Sequence, residues 1–142
     1  MENTKRASFY IDKYYFDQVH IDMNKRSGDE LFVDFQPSGI FNENNKQYTL
    51  TFKFKAQSSD KKDADPFVMV NCIGVFNFKD VNTLKDIPEF FYRNSIAIIF
   101  PFMRAYVSMV TNQANLQSIM LPTLNLSSLE SPLKENTTVK SE

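Results

Sequence analysis

Few side chains in the 142-residue chain could do chemistry. It contains one cysteine, Cys72, and one histidine, His20. A lone cysteine cannot form an internal disulfide, and these two residues cannot build a Cys/His metal cluster, although the count leaves carboxylate sites open. His20 is expected to point outward beside Gln18 and Asp22, while Cys72 lies in an apolar run and is typical of a small buried hydrophobe. With no acid/base or nucleophile constellation, we predict no catalytic residue, no metal and no cofactor.

The charge balance and the hydropathy pattern exclude several further classes. Lysine and arginine total 16 and aspartate and glutamate 17, so no strong field would attract nucleic acid or a membrane surface. With 3 glycines the chain has no glycine-rich phosphate loop. Its first residues lack the continuous apolar core of a secretion signal, and the longest apolar stretch, Ile96–Met103, is far shorter than the roughly 20 residues that span a bilayer. A cytoplasmic protein without membrane insertion is expected.

Alternating apolar and polar residues predict the strands that must position any site. In "SFYIDKYYFDQVHID", residues 8–22, the apolar positions change parity midway, which a bulge or a covered second face would explain. "QYTLTFKFK", residues 47–55, has one apolar and one polar face. "PFVMVNCIGVFNF", residues 66–78, suits a strand covered on both faces, with a separate strand at Val75–Phe78 after Gly74. Residues 23–46 contain turn-forming clusters and are interpreted as a long crossover segment.

After residue 79 the apolar period becomes helical. Asp86 is the predicted N-cap, with Pro88 in the first turn, and Pro101 inside the helix should bend it. Because the helix is apolar around much of its circumference, one sheet cannot cover it, and self-association is expected. The predicted oligomer interface is Ile98, Phe102, Tyr106 and Met109.

The end of the chain divides into an apolar and a polar part. A short second helix is predicted near Leu124–Leu129, ended by Pro132. Residues 1–130 are therefore expected to form one domain, and residues 131–142 a polar, disordered tail.

Three stretches resemble the SecB family of export chaperones. "VDFQP", residues 33–37, is similar to the family's lysine-aspartate-tryptophan-glutamine-proline segment. "VFNF", residues 75–78, preceded by Gly74, resembles the end of its third strand. "IIFPFMRAYVSMV", residues 98–110, followed by "LPTLNLSSL", residues 121–129, is similar to its phenylalanine-proline helix and the segment leading to its last helix.

The resemblance implies an α+β fold, a four-stranded antiparallel sheet with one long kinked helix and a short C-terminal helix on one face. It also implies a homotetramer built as a dimer of dimers, with the long helices between the dimers. Unfolded polypeptides would be held in grooves between the crossover segment and the last helix. The matching substrate-binding positions are Phe32, Phe35, Ile40, Phe41, Leu124, Leu126 and Leu129.

The sequence departs from the family at the acidic residues that dock the SecA motor. A gap-free match places Gln18 and Asp22 at the first-strand acids and Met69 at the third-strand acid. Asp17 and Asp22 are the candidate partner-docking residues, or else belong to a solvated strand face. SecA is therefore an implied partner with one of its three docking acids retained, and the early end of the second helix alters the outer wall of the groove.

Three functions follow from this sequence. The first is an ATP-independent chaperone, or holdase, that keeps precursor polypeptides unfolded for export. The second is a SecB-like chaperone dedicated to one client, such as the antitoxin of a toxin–antitoxin pair. The third, from a different class, is a small-molecule-binding α+β domain with its cavity under the helix.

Overall fold

The computed structural model describes residues 9–122 and 124–140, which form a five-stranded sheet in the order β1-β4-β3-β2-β5. The first four strands pair antiparallel, while β5 lies parallel to β2. The α+β class is confirmed, but the predicted four-stranded antiparallel sheet is wrong, since the sheet has five strands and is mixed. The strands are β1 Phe9–Ile21, β2 Phe32–Asn42, β3 Gln47–Gln57, β4 Val68–Phe78 and β5 Thr137–Lys140.

Two helices complete the described part of the fold: α1, Glu89–Gln113, and α2, Glu130–Glu135. Helix α1 packs on what we call the inner face of the sheet, which carries the buried side of β3; the opposite side is the outer face. Alternation along β3 sets these faces, because Tyr48, Leu50, Phe52 and Phe54 are fully buried while the residues between them are partly exposed. Three 3-10 turns lie at Met23–Lys25, Leu84–Asp86 and Leu126–Leu129.

Two bulges explain the changing parity of β1. The pairing with β4 shifts between Ile11 and Lys13 and again between Phe16 and Gln18. Each extra residue exchanges the faces of those that follow, so the inner face carries Phe9 and Ile11, then Tyr14 and Phe16, then Val19 and Ile21. Of the two explanations offered by the sequence, the bulge is confirmed.

Two sequence interpretations were wrong in the middle of the sheet. The crossover segment contains strand β2, which pairs with β3 along its whole length. Gly74 does not separate two strands, because β4 runs unbroken from Val68 to Phe78. Gly74 instead permits the close approach of α1, since a Cβ there would lie 2.8 Å from Ile99 Cδ1.

Much of the phenylalanine content forms one aromatic cluster between α1 and the sheet. The ring of Phe91 lies 4.7–5.5 Å, centroid to centroid, from the rings of Tyr48, Phe76 and Phe78. Phe9 of β1 joins from the edge, with its centroid 4.8 Å from that of Phe91. Edge-to-face and tilted aromatic pairs of this kind add to the stabilisation gained from burial, so the first turn of α1 is anchored at the centre of the inner face.

The ends of both helices differ from the sequence predictions. Asp86 belongs to the 3-10 turn, where its carboxylate accepts hydrogen bonds from the backbone N–H groups of Asn82 and Thr83, and these bonds lower its pKa. Helix α1 begins at Glu89, with Pro88 as its N-cap. Pro132 does not end the second helix, because it lies in the first turn of α2, where a backbone N–H has no intrahelical partner to lose.

The polar C-terminal region was predicted to be a disordered tail, but it forms α2 and β5 as far as residue 140. Leu133 of α2 is fully buried, and Lys134 pairs with Glu89 of α1. β5 follows, and the Thr137 hydroxyl joins the Leu133 carbonyl to the Tyr48 hydroxyl at 2.7 and 2.6 Å. One buried leucine and one strand pairing are enough to dock a segment whose composition suggested disorder. Residues 141 and 142 lie outside the described residues.

By length and composition alone, α1 would be sufficient to cross a membrane. The same property is common among core helices of water-soluble proteins, and α1 buries nine of its residues. The absence of membrane insertion remains a prediction.

Candidate functional site

An open apolar groove of about 220 Å³ lies between β2 and the segment before α2. It contains four of the predicted substrate-binding residues: Phe35 on one wall and Leu124, Leu126 and Leu129 on the other. All four are partly exposed. We call this site the β2 groove; its lining is Val33, Phe35, Leu124, Asn125, Leu126, Ser128 and Leu129.

Local structure fixes both walls of the β2 groove. The ring of Phe35 is stacked 5.4 Å from that of Phe52 and lies 5.8 Å from that of Phe100, centroid to centroid. On the other wall, the Asn125 side chain accepts a hydrogen bond from the Ser127 N–H and caps the 3-10 turn that carries Leu126 and Leu129. The walls are therefore held independently, which leaves the space between them open.

The other three predicted substrate-binding residues lie elsewhere. Phe41 shares the inner face with Phe35 but is fully buried against Phe78. Phe32 and Ile40 differ from Phe35 by an odd number of residues, so strand alternation places them on the outer face. The resemblance assigned these three residues to one groove, but a strand has two faces, and none of the three lines the β2 groove.

Val33 is the groove residue that the sequence prediction missed. It is 38% exposed and shares the inner face with Phe35, two residues away. The signal was present in the alternation of Val33, Phe35, Pro37 and Gly39, which becomes visible once residues 32–42 are interpreted as a strand.

A second apolar groove, of about 420 Å³, lies between α1 and the segment that follows it. Met120, at its rim, is 78% exposed. Phe100 lines this groove and also contacts Phe35 of the first, so the two grooves meet at one side chain. We call it the α1 groove; its lining is Phe100, Pro101, Arg104, Ala105, Ser108, Met120 and Leu121.

The predicted oligomer-interface residues lie where α1 meets the edge strand β1. Phe102 stacks on Tyr14 and Tyr106 stacks on Phe16, each with 4.0 Å between ring centroids. Ile98 is partly buried beside the core, while Met109 is 51% exposed. The stacked pairs hold the helix on β1. Tyr14 and Phe102 nevertheless remain partly accessible to solvent, as does Val19.

Strand β1 also leaves hydrogen-bonding capacity free at the edge of the sheet. Within the described residues its pairing partner is β4, on one side. Thirteen residues of edge strand beside an exposed apolar strip are a template for pairing with another chain. We call Tyr14, Val19, Phe102 and Met109 the β1 strip.

The two candidate partner-docking carboxylates already make local contacts. Asp17, in the second bulge, accepts a 2.8 Å hydrogen bond from Asn71 Nδ2, and Asp22 accepts one from the Asn24 N–H and caps the first 3-10 turn. The pairing places Gln18 opposite Asn71, and Lys53 and Lys55 of β3 lie on the same outer face. This outer face therefore carries cations beside its carboxylates.

The structure offers no nucleophile at Cys72 and no metal cluster within residues 9–122 and 124–140. Cys72 is fully buried, as the sequence predicted, and burial raises its pKa to about 12. Its thiol is therefore protonated near neutral pH and unreactive. His20 is exposed and lies on the outer face opposite Met69, in the orientation that was predicted.

This chain is similar to known proteins over most of its length. It is 31% identical over 141 residues to the uncharacterized protein MJ0357 of Methanocaldococcus jannaschii, covering 95% of this chain and 90% of that protein. Among solved structures it is similar to the Mycobacterium tuberculosis Rv1957 SecB-like chaperone in complex with a ChAD peptide from the Rv1956 HigA1 antitoxin. That match has a TM-score of 0.60 and 14% identity, and covers 84% of this chain and 92% of the other. The model of the family described as preprotein translocase subunit SecB matches residues 30–132, and the chain belongs to the SecB family.

Proposed function

We propose that this protein is an ATP-independent holdase that binds unfolded precursor polypeptides in its apolar grooves and keeps them competent for export. The observation that carries the proposal is the β2 groove, which presents Phe35 and three leucines, partly exposed, between two independently held walls. Family membership supports the same function. An open apolar groove suits an apolar stretch of an extended chain better than a small polar ligand.

The energetics favour weak binding at one groove and useful binding at several. Burying a large apolar side chain contributes roughly 1.5–3 kcal/mol, so three anchors in the β2 groove give about 5–9 kcal/mol gross. Association and ordering of a flexible chain cost an estimated 4–15 kcal/mol. A client that also fills the neighbouring α1 groove gains from linkage, since the second contact is intramolecular.

Assembly into a homotetramer, as a dimer of dimers, would multiply these grooves. The β1 strip and the free edge of β1 support the proposal, because they combine exposed apolar surface with unpaired backbone groups on one side of the molecule. A second copy of this chain would cover both features at once.

The site of action proposed is the cytoplasm, without membrane insertion. SecA is the proposed export partner, docking through Asp17 and Asp22. Each carboxylate already accepts a local hydrogen bond, and Gln18 and Met69 occupy the positions of the other two expected acids.

A second candidate function is a chaperone dedicated to one client, such as an antitoxin. The observation that favours it is the fold shared with the Rv1957 SecB-like chaperone, whose complex contains a peptide of the HigA1 antitoxin. The loss of two expected docking acids points the same way. Suppression of aggregation of an unrelated unfolded protein separates the two functions, since a dedicated chaperone should leave it unprotected.

The test of the holdase is the solution mass, by light scattering on a sizing column, alone and with reduced, carboxamidomethylated α-lactalbumin. This polypeptide stays unfolded without denaturant. We expect co-elution with the unfolded polypeptide and none with its native form. Leu126→Asp should weaken binding about tenfold or more, since it places a charge in the β2 groove.

The matched control is Ser131→Asp, in the first turn of α2, exposed and outside the groove lining. It should bind the unfolded polypeptide like the wild type. Equal binding by both variants would remove the β2 groove from the proposal. If the wild-type protein binds neither form of α-lactalbumin, the proposed holdase function is wrong. A ligand-dependent rise in Tm would then favour the small-molecule alternative.

A further inference from the structure

The edge of β2 that borders the β2 groove has unpaired backbone groups. In β2 the odd-numbered residues turn their N–H and C=O groups away from β3, since Gly39 N–H donates to the Asn136 carbonyl at 3.2 Å and Glu43 N–H to that of Lys140 at 3.1 Å. The β5 ladder begins at Gly39 and continues to Asn42. Toward the start of β2, Val33 and Phe35 have no backbone partner on this side among the described residues.

The sequence of β2 fits an edge that accepts another strand at this end. Pro37 is one of the odd-numbered residues whose backbone groups point away from β3. Its missing N–H therefore removes no hydrogen bond from the pairing of β2 with β3. Val33 and Phe35 retain an N–H and a C=O each, and their side chains line the β2 groove. The unpaired backbone and the apolar lining thus belong to the same two residues.

Each face of this edge also has an open recess. The β2 groove lies on the inner face. A second recess of about 370 Å³ lies on the outer side of the edge, and its lining is Phe32, Val33, Asp34, Gln36, Gln57 and the Ser59–Lys62 loop. Side chains of an added strand alternate between the two faces, with a repeat of two residues, so both sets would find space.

We propose that the client binds by strand addition: an extended polypeptide segment of about five residues, with alternating apolar and polar side chains, pairs with Phe32–Pro37 of β2, in line with β5. This deepens the proposed holdase function and rests on it. β5 already pairs with the same edge of β2, so the client continues an existing ladder. Its inward side chains enter the β2 groove and should be apolar, while its outward side chains meet a mixed lining with Asp34, Lys61 and Lys62 and should be polar.

Backbone pairing makes a prediction that a purely apolar groove does not. Amide hydrogen exchange, followed by NMR, should show Val33 and Phe35 exchanging freely in the full-length protein. Both amides should slow by at least about tenfold when reduced, carboxamidomethylated α-lactalbumin is bound, because each N–H then donates to the client. The amides of Asp34 and Gln36, which face β3, should already be protected in the free protein.

The matched variants are Val33→Pro and Val33→Ala. Proline removes the edge N–H and keeps an apolar side chain, while alanine keeps the N–H and loses most of the side chain. If strand addition holds, Val33→Pro raises the Kd for the unfolded polypeptide about three- to tenfold, as expected for one lost hydrogen bond, and more than Val33→Ala does.

The possible results distinguish strand addition from the holdase function on which it rests. If the wild type binds the unfolded polypeptide but the Val33 and Phe35 amides stay unprotected, strand addition is wrong and the holdase remains. The same follows if Val33→Ala weakens binding more than Val33→Pro. If the wild type binds no unfolded polypeptide, both proposals fail. If the Val33→Pro protein does not fold, the amide exchange rates of the wild type alone test strand addition.

Discussion

Single residues set how closely the elements of this protein approach one another. Gly39 of β2 lies under the side chain of Tyr48, and a Cβ there would be 1.9 Å from the Tyr48 hydroxyl. Burial raises the pKa of Tyr48, so this hydroxyl is protonated and can donate to Thr137, whose own hydroxyl donates to the Leu133 carbonyl. One missing side chain thus makes room for the hydrogen bonds that connect β3 to the C-terminal segment.

Gly39→Ala should lower the free energy of unfolding by about 1–3 kcal/mol, because the new methyl group forces Tyr48 away from Thr137. Urea denaturation at equilibrium measures the change. Ser38→Ala is the control, since it lies next along the strand on the outer face and should change the free energy by about 0.5 kcal/mol at most. Equal effects of the two substitutions would show that Tyr48 can move aside without loss.

At the scale of elements, helix α1 contains a proline that its packing must tolerate. Pro101 lies inside the helix and has no N–H to donate to the carbonyl of Ala97, four residues earlier. Both residues are exposed, so the missing hydrogen bond lies on the exposed side of the helix. The rest of the helix is held by Phe91, Ile99 and Met103, which are fully buried on the sheet side.

Pro101→Ala should raise the free energy of unfolding by about 1–3 kcal/mol, because alanine restores the missing hydrogen bond and has the higher helix propensity. Equilibrium urea unfolding gives the value. Ala105→Gly, one turn later and also exposed, should lower it by about 1 kcal/mol and so report that this part of α1 contributes to stability. A less stable Pro101→Ala protein would mean that the core packing requires the backbone shape that proline imposes.

At the scale of the whole molecule, the apolar grooves and the β1 strip form two separate regions of exposed apolar surface. The β2 and α1 grooves meet at Phe100, whereas the β1 strip lies at the opposite edge of the sheet, on β1 and the adjoining side of α1. One chain can therefore pair with a copy of itself through β1 while β2 remains available to a client. This division supports both the proposed assembly and the proposed strand addition.

Met109→Asp should reduce the solution mass of the proposed tetramer, about four chain masses, to that of a smaller species, because it puts a charge into the β1 strip. Light scattering on a sizing column reads the mass directly. Ala97→Asp is the control: it is exposed and lies five residues, or about 140° around the helix, from Phe102. An unchanged mass for Met109→Asp would exclude this strip as the assembly surface, and a monomeric wild type would exclude the assembly itself.

The sequence alone determined the features that depend on local pattern. Alternation over residues 47–55 fixed the buried face of β3, and the helical period after residue 79 located α1. The parity change in residues 8–22 indicated a bulge or a covered second face, and the pairing with β4 shows bulges. The sequence also indicated the family, because three stretches of neighbouring residues carry the family's pattern.

Only the tertiary structure decided the features that depend on distant contacts. β2 is a strand because β3 pairs with it, although Pro37 and Gly39 suggested a loop. The C-terminal segment is ordered because Leu133 is buried and β5 finds the edge of β2. The candidate site needed both results, since the pairing of β2 separates Phe35 from Phe32 and Ile40, and the docking of α2 brings three leucines to Phe35. A residue's face and its long-range partners are set by pairing between segments far apart in the chain, which local pattern does not encode.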